Sequence, residues 1–564
     1  MRTRTRQAHA TLRRRALTHA AGVAFVLSVV VAAPAANSAY DAAREYVESP
    51  AVAARYPDPS VAIDTPAFAP GKTDFTGQAE LEAFVDGLSR RSRDLRASII
   101  GYSQERRAIP LLVFARPAAG AGGDVQKNGK PTVLIIGQQH GNEPAGGEAA
   151  LALAAELASG ASILDRVNVL IVPRANPDGA FHFVRGLANG ADVNRDHLLE
   201  ATPEGRALGR VFVDYQPDVV LDCHEFGVKT RWFEKFGGLQ RADALIQYAT
   251  VSNLAPDLTA AAENMFRVPL VAALGAAGLS QSWYYASSYD MTDKVVSMGG
   301  VVPDTGRNIA GLRNAVSFLI ETRGVGIGRA HYKRRVTTHL IAMHSMLDSA
   351  ATNGPPLLVL VRKLRLDTAL TAGTGDVIVS GSSKPVRHVL DLIDPETGAD
   401  KPVEVDWRSA LEIQVRLKRT RPFAYLLPAS EVEAASRLSR LGVTVLRVQQ
   451  DTSVDGERYR ITGLKEARKD DVRRNDEDGA ANVVQITTAV EPARLSAKAG
   501  DFYVPLDQPL ANVIAAALEP ETQSSYAANH VLGLPRVVPD GVAFLPLYRL
   551  PSPLGAPTVV FLAQ

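Results

Sequence analysis

The sequence predicts an α/β protein whose first part is built on a mostly parallel sheet and whose last part is rich in β-strands. Continuous apolar segments alternate with segments of helical pattern through the middle of the chain. Strands of this kind are buried on both faces, as in a parallel sheet covered by helices. The predicted sheet strands are Thr132–Ile136, Val167–Val172, Asp218–Asp222 and Ala315–Ile320.

Local patterns predict the elements around these strands. A helix is expected over Gln78–Leu95, because its apolar residues fall on one face. Two strands around a turn follow at Ala97–Tyr102 and Ile109–Phe114. An Ala/Leu-rich helix is expected over Pro144–Leu157, where the first residue is a proline, as helix starts tolerate.

The pattern changes after the Thr-Asn-Gly-Pro-Pro run at 352–356, which indicates a boundary. Beyond it, short apolar runs predict a β-rich region that also contains a helix over Glu431–Leu441. The charged run 465–478 alternates in sign and is interpreted as a solvated loop. The short predicted strands are Leu357–Val361, Asp376–Ser380, Val386–Leu392 and Leu411–Leu417.

The first 39 residues resemble a secretory signal peptide. Six arginines precede or flank an apolar run at 20–31, which small residues follow up to Ala39. Cleavage after Ala35 or Ala39 would export the protein to the periplasm or the medium; an uncleaved membrane anchor is the alternative. We therefore divide the chain into a signal (1–39), an extended leader (40–75), a main domain (76–350) and a β-rich region (351–564).

Composition excludes several classes of protein. Hydrophobic residues make up 46% and charged residues 22% of the chain, which is typical of a globular protein. Without the arginines of the signal, the formal charge of +2 becomes about −4, which gives no reason to expect a nucleic acid partner. The single cysteine, Cys223, allows no intrachain disulfide and is interpreted as a buried strand residue.

A metal site is predicted at the ends of two strands. His140 and Glu143 lie in a loop directly after the strand that ends at Ile136, and His224 follows the strand that ends at Asp222. Sites in open parallel sheets form outside the carboxyl ends of the strands, so these loops should meet. Imidazole nitrogen and carboxylate oxygen are ligands for zinc, and a catalytic zinc keeps one position open. We expect one Zn²⁺ at this place.

Glu321 is predicted as the general base and later general acid for hydrolysis at zinc. It follows an apolar strand, where a carboxylate is costly unless it is paired or has a chemical task. The alternative is that Glu321 is a structural partner of Arg323 or another arginine.

Two arginines and an asparagine are candidate anion binders. A guanidinium group binds carboxylates through two parallel hydrogen bonds. Arg195 with Asn194 is expected to hold the terminal carboxylate of a substrate, and Arg185 to polarise the scissile carbonyl group. Surface ion pairing is the alternative for both arginines. Asp178, in an Asn-Pro-Asp-Gly turn, is expected to shape that turn.

Taken in order, these elements resemble the zinc carboxypeptidase family, the carboxypeptidase A-like metallopeptidases. The similarity covers about residues 75–345, and a C-terminal extension resembles those of long bacterial members. It implies an α/β/α sandwich with a mixed sheet of about eight strands. It also implies zinc ligands, a catalytic glutamate, an oxyanion-stabilising arginine and a carboxylate-binding pair. The matched elements are Ile100–Arg107, His140, Glu143, Asn176–Gly179, Arg185, Asn194, Arg195, His224 and Glu321.

The sequence departs from the family at one feature. Many members carry a tyrosine shortly before the glutamate, but residues 299–320 contain none, and Ile309 stands in that stretch. Tyr284, Tyr285 and Tyr289 are the possible substitutes.

Removal of C-terminal residues from peptides is the function that the sequence favours. Two alternatives keep the zinc chemistry: cleavage of cell-wall peptides, and hydrolysis of N-acyl amino acids. A non-catalytic peptide-binding module is a further alternative, but the presence of all three ligands and Glu321 argues against it. We expect a peptide or peptidoglycan-derived substrate and no membrane association after signal cleavage.

Overall fold

The computed structural model describes residues 39–117, 122–469, 482–534, 542–554 and 559–561, all within one compact unit, Asn37–Gln564. The predicted signal and the run 470–478 lie outside the described residues, apart from Ala39. The strands are β1 (Leu95–Tyr102), β2 (Ala108–Phe114), β3 (Thr132–Gly137), β4 (Asn168–Val172), β5 (Val219–Gly227), β6 (Leu239–Gln240), β7 (Ala244–Tyr248), β8 (Gln281–Trp283), β9 (Ala286–Ser287), β10 (Val295–Ser297), β11 (Val316–Val325), β12 (Asp376–Ile393), β13 (Asp400–Thr420), β14 (Ala424–Leu427), β15 (Leu446–Val448), β16 (Thr452–Arg468), β17 (Asn482–Ala497), β18 (Phe502–Pro505), β19 (Phe544–Leu550) and β20 (Val559–Phe561).

The helices lie mainly in the first part of the chain. Short 3₁₀ turns occur at Ala42–Arg44, Pro66–Phe68, Ser162–Asp165 and Val193–Arg195, and a π-helical turn at Ala262–Arg267. The α-helices are α1 (Pro50–Ala53), α2 (Gln78–Arg91), α3 (Gly122–Lys127), α4 (Pro144–Ala158), α5 (Pro177–His182), α6 (Pro203–Tyr215), α7 (Thr230–Phe236), α8 (Pro256–Ala261), α9 (Val268–Ala276), α10 (Gly306–Leu312), α11 (Tyr332–Thr352), α12 (Gly354–Leu370), α13 (Val432–Arg440) and α14 (Ala511–Leu518). Among the described residues, no helix is both long and apolar enough to span a bilayer.

A mixed sheet of eight strands forms the centre of the first part, in the order β1-β2-β4-β3-β5-β11-β7-β8. The central strands β4, β3, β5 and β11 are parallel to one another. Strands β1 and β2 pair antiparallel with their neighbours, and β7 pairs antiparallel with β11 but parallel with β8. The predicted fold class is therefore confirmed. Alternate residues of each strand enter two cores, one that includes α4 and α11 and one that includes α6.

The segment 40–75 differs from the extended leader that the sequence predicts. It forms short helical turns, because Asp41 and Ser49 cap them with their side chains. Glu48 is buried and pairs with Arg323 at 2.6 Å. The segment is therefore packed against β11 through a buried ion pair.

The C-terminal region is rich in β-strands, as predicted. A seven-stranded sheet has the order β17-β16-β19-β14-β18-β15-β20, and a five-stranded sheet has the order β6-β12-β13-β10-β9. The second sheet joins the long hairpin β12–β13 to β6 and β10 of the first part. The helix predicted over Glu431–Leu441 corresponds to α13.

Two local predictions are wrong. The segment Leu357–Val361 belongs to helix α12 and not to a strand. A run of five apolar residues fits either structure, and the prolines before it allow a helix to begin there. Residues 465–468, predicted as a loop, continue β16 because they pair with β17.

Candidate metal centre

Three side chains that the sequence predicts as metal ligands meet at one place. His140 and Glu143 lie in the loop between β3 and α4, and His224 lies in β5. Nδ1 of His140 is 2.9 Å from Glu143 Oε1, and Nδ1 of His224 is 2.9 Å from Glu143 Oε2. The two Nδ1 atoms are 3.0 Å apart. All three residues are buried.

This donor set fits a single zinc ion. One ligand atom from each residue lies within 4.8 Å of the others. Two imidazole nitrogens and a carboxylate leave a fourth position for water or substrate. His224 lies inside β5 and not beyond the end of its strand, because β5 continues to pair with β11 as far as Gly227.

Each histidine is oriented by an aspartate on its outer nitrogen. His140 Nε2 is 3.0 Å from Asp192 Oδ1, and His224 Nε2 is 2.9 Å from Asp222 Oδ1. Such contacts fix the ring so that Nδ1 faces the metal, and they make the ligand more basic. Sequence reasoning missed both aspartates. The alternation of side chains along a strand would have placed Asp222 on the same face as His224.

The charges around the three ligands favour a cation. Burial alone raises the pKa of Glu143, but His140 and His224 hold that pKa well below its usual value. Burial lowers the pKa of His224, whereas Asp222 and Glu143 raise it to about 10. The carboxylates therefore stabilise positive charge between the two rings. A metal ion bound there would supply that charge.

Glu321 lies in β11 and is fully buried. It is the register partner of His224 in the parallel pair of β11 with β5, so the two side chains leave the same face of the sheet. Arg323, which the sequence offers as a structural partner, pairs with Glu48 and donates a hydrogen bond to the carbonyl oxygen of Gln240.

Arg185 reaches the edge of the metal centre. Its Nη1 is 3.2 Å from His140 Nδ1 and 3.2 Å from Glu143 Oε1. Its Nη2 donates to Asp192 Oδ2 at 2.8 Å, so the same aspartate orients both Arg185 and His140. The guanidinium group is thus fixed beside two of the predicted metal ligands.

Asn194 and Arg195 connect the metal centre with a cavity of about 290 Å³. Asn194 Nδ2 is 3.0 Å from His224 Nε2, and Asn194 Oδ1 accepts a hydrogen bond from the backbone N–H of Gly306. Arg195 donates to the carbonyl oxygen of Asn194 at 2.8 Å and lines the cavity.

Of the three candidate tyrosines, Tyr284 lines this cavity. Tyr285 is buried in the same apolar core as Tyr284 but does not line the cavity, and the Tyr289 ring lies 3.3 Å from the guanidinium carbon of Arg231. Ile309 is buried in α10.

Asp178 connects the turn after β4 with the segment Ile100–Arg107. It accepts hydrogen bonds from Ser103 Oγ at 2.6 Å and from the backbone N–H of Glu105 at 2.9 Å, and it pairs with Arg107. Asp178 therefore shapes the turn that carries Arg185, as the sequence predicts.

The fold and the donor set define a mononuclear metal site on an α/β sheet. Comparison with known families gives the particular class: residues 81–290 match the zinc carboxypeptidase family model. This chain carries a zinc carboxypeptidase domain. The match ends before Glu321.

Related proteins extend the similarity beyond that domain. The chain is 28% identical over 474 residues to carboxypeptidase 2 of Trichophyton equinum, with 82% of this chain and 86% of the relative covered; carboxypeptidase 2 of Trichophyton rubrum gives the same values. It is 31% identical over 144 residues to carboxypeptidase E of Caenorhabditis elegans, covering 22% and 29% of the two chains.

Solved structures of carboxypeptidases align with part of this chain. A metallo-carboxypeptidase from Burkholderia cenocepacia aligns with a TM-score of 0.36 and 17% identity, covering 49% of this chain and 69% of that chain. Carboxypeptidase A from Helicoverpa armigera aligns with a TM-score of 0.37 and 16% identity, covering 49% and 74%.

Proposed function

We propose that this protein is a zinc-dependent carboxypeptidase that removes C-terminal residues from peptides. The observation that carries the proposal is that the candidate metal centre adjoins a cavity lined by Asn194 and Arg195. Asn194 contacts a predicted metal ligand and adjoins Arg195, so a substrate whose terminal carboxylate is bound there has its last peptide bond near the metal.

The chain supplies groups for each chemical requirement. A bound zinc ion provides a Lewis acid and lowers the pKa of water. Glu321 accepts a proton from the attacking water and later gives it to the leaving amine. Arg185 donates hydrogen bonds to the carbonyl oxygen as negative charge develops on it. Asn194 and Arg195 hold the terminal carboxylate, which distinguishes a chain end from an internal bond.

Export fits this function. Residues 1–39 are proposed as a signal peptide that directs the enzyme to the periplasm or medium, where peptides are available as substrates. We further propose a catalytic domain at 76–350 with the C-terminal region packed against it, in keeping with the strands that join β12–β13 to β6 and β10.

Mass spectrometry of reaction products tests the proposal. Matched linear peptides with a free or an amidated C-terminus, together with cell-wall peptides, are incubated with the mature protein with and without a chelator. We expect chelator-sensitive loss of single residues from the free-acid peptides and little loss from the amidated ones. Equal cleavage of both forms, internal cleavage, or cleavage of cell-wall peptides alone would contradict a carboxypeptidase.

A further inference from the structure

The cavity beside Arg195 is built by both parts of the chain. The first part contributes Arg195, Asp304 and Arg307, and the region beyond residue 376 contributes Ser382, Lys469 and other residues. These C-terminal residues lie outside the matched segment 81–290. The region beyond β12 therefore helps to form the space next to the proposed carboxylate binder.

A buried ion pair crosses this boundary inside the cavity. Lys469 Nζ lies 2.5 Å from Asp304 Oδ2; the side chain of Asp304 is 0% exposed and that of Lys469 is 11% exposed. Ser524 donates a hydrogen bond to the same oxygen at 3.0 Å. Asp304 Oδ1 is buried and makes no hydrogen bond to any of the described residues.

Asp304 is also close in sequence to a residue that contacts the proposed carboxylate-binding pair, Asn194 and Arg195. It lies two residues before Gly306, whose backbone N–H donates to Asn194 Oδ1 at 2.7 Å. A substrate whose terminal carboxylate is bound by Asn194 and Arg195 therefore places its terminal side chain in the same cavity as Asp304 and Lys469.

We propose that Lys469, from the C-terminal region, sets the charge specificity of the terminal side-chain subsite by neutralising Asp304. This inference rests on the proposed function and deepens it. An isolated buried carboxylate would attract a basic terminal residue, whereas the neutralised pair accepts an uncharged side chain and excludes a basic one. Arg195 and Arg307 are the other charged residues that line the cavity.

The test compares three peptides that differ only in a terminal Lys, Gln or Glu. The values of kcat/KM are measured for the wild type, Lys469→Met, Lys469→Arg and Asp304→Asn. We expect Lys469→Met to raise the Lys-to-Gln ratio by about tenfold or more, since it leaves Asp304 without its cation. Asp304→Asn leaves Lys469 without its anion and should raise the Glu-to-Gln ratio. Lys469→Arg keeps the charge and should preserve both ratios.

Lys498→Met is the matched control, because Lys498 forms an exposed ion pair with Asp451. Both of its ratios should stay within about threefold of the wild type. Unchanged ratios in active Lys469→Met and Asp304→Asn would overturn the inference while the carboxypeptidase assignment stands. If Lys469→Met fails to fold, an unchanged Glu-to-Gln ratio in Asp304→Asn overturns it alone. A wild type that hydrolyses none of the peptides would instead overturn the proposed function.

Discussion

Glu321 on β11 lies directly opposite His224 on β5 in the register of two parallel strands. A proposed base and a proposed metal ligand therefore leave the same face of one rigid sheet. β11 is a central strand that pairs with β5 on one side and β7 on the other. The distance between the two groups is set by strand geometry, which favours chemistry that requires a fixed position for each.

The position of Glu321 predicts the behaviour of Glu321→Gln. The amide keeps the shape of the side chain but accepts a proton poorly, so kcat should fall by about 10²- to 10⁴-fold with zinc still bound at one equivalent. Stopped assays and metal analysis of the same preparation measure both quantities. Glu263→Gln, which changes a surface pair with Arg267, is the control. Near wild-type kcat in Glu321→Gln would show that another group is the base.

Asp192 and Asp222 contact the outer nitrogens of the two histidine ligands, so changing them should lower the affinity for metal while the ligands themselves remain. Asp222→Asn and Asp192→Asn should each weaken zinc binding by about 10- to 100-fold, because the imidazoles lose orientation and basicity. Competition against a chromogenic chelator measures the Kd. Activity should return as the free zinc concentration rises. An unaltered zinc Kd in both variants would mean that these contacts do not tune the site.

Arg185 and Arg195 should affect different kinetic parameters. Arg185→Ala removes a donor to the developing oxyanion and should lower kcat by about 10²- to 10³-fold. Arg195→Ala removes the proposed carboxylate binder and should mainly raise KM for free-acid peptides. The comparison uses matched free-acid and amidated peptides. If Arg195→Ala still discriminates between the two forms as the wild type does, the carboxylate is bound elsewhere.

Glu200 predicts a dependence of stability on pH. It is 1% exposed, and burial raises its pKa to about 7 from 4.5, although Arg313 and Arg440 oppose the shift. Between these values the folded protein holds a proton that the unfolded chain has lost, so stability falls as pH rises from about 4.5 to about 7, and the loss stays constant above that range.

Glu200→Gln should remove that penalty. The free energy of unfolding of Glu200→Gln minus that of the wild type should increase by up to about 3 kcal/mol from pH 5 to pH 8, because each unit of pKa shift corresponds to about 1.4 kcal/mol. Denaturant titrations at the two pH values measure the difference, with exposed Glu412→Gln as control. A difference that does not vary with pH would show that Glu200 is ionised in the folded protein throughout this range.

Local sequence patterns predict six of the eight strands of the central sheet and the three metal ligands, but not the strands β7 and β8. The strand before His140 is a continuous apolar run, and in the sequence each predicted ligand follows such a run, where polar residues are conspicuous. The segment Leu357–Val361 was assigned wrongly because a five-residue apolar run carries no decisive period.

Contacts between distant segments were beyond sequence reasoning. Lys469 and Asp304 are 165 positions apart in numbering, and Glu48 is far from Arg323. Each of these residues looks like an ordinary surface charge in the sequence, and burial by tertiary packing makes the pairs significant. The cavity and its charge therefore became visible only in the structure.

Zinc titration of the metal-free enzyme tests the central claim most directly. After removal of metal with a chelator, hydrolysis of a free-acid peptide is followed as zinc is added in known amounts. Activity should rise in proportion to zinc and reach its maximum at one equivalent, while His224→Ala should neither retain the ion nor recover activity. Full activity without metal, or one equivalent of zinc held by His224→Ala, would contradict a site formed by His140, Glu143 and His224.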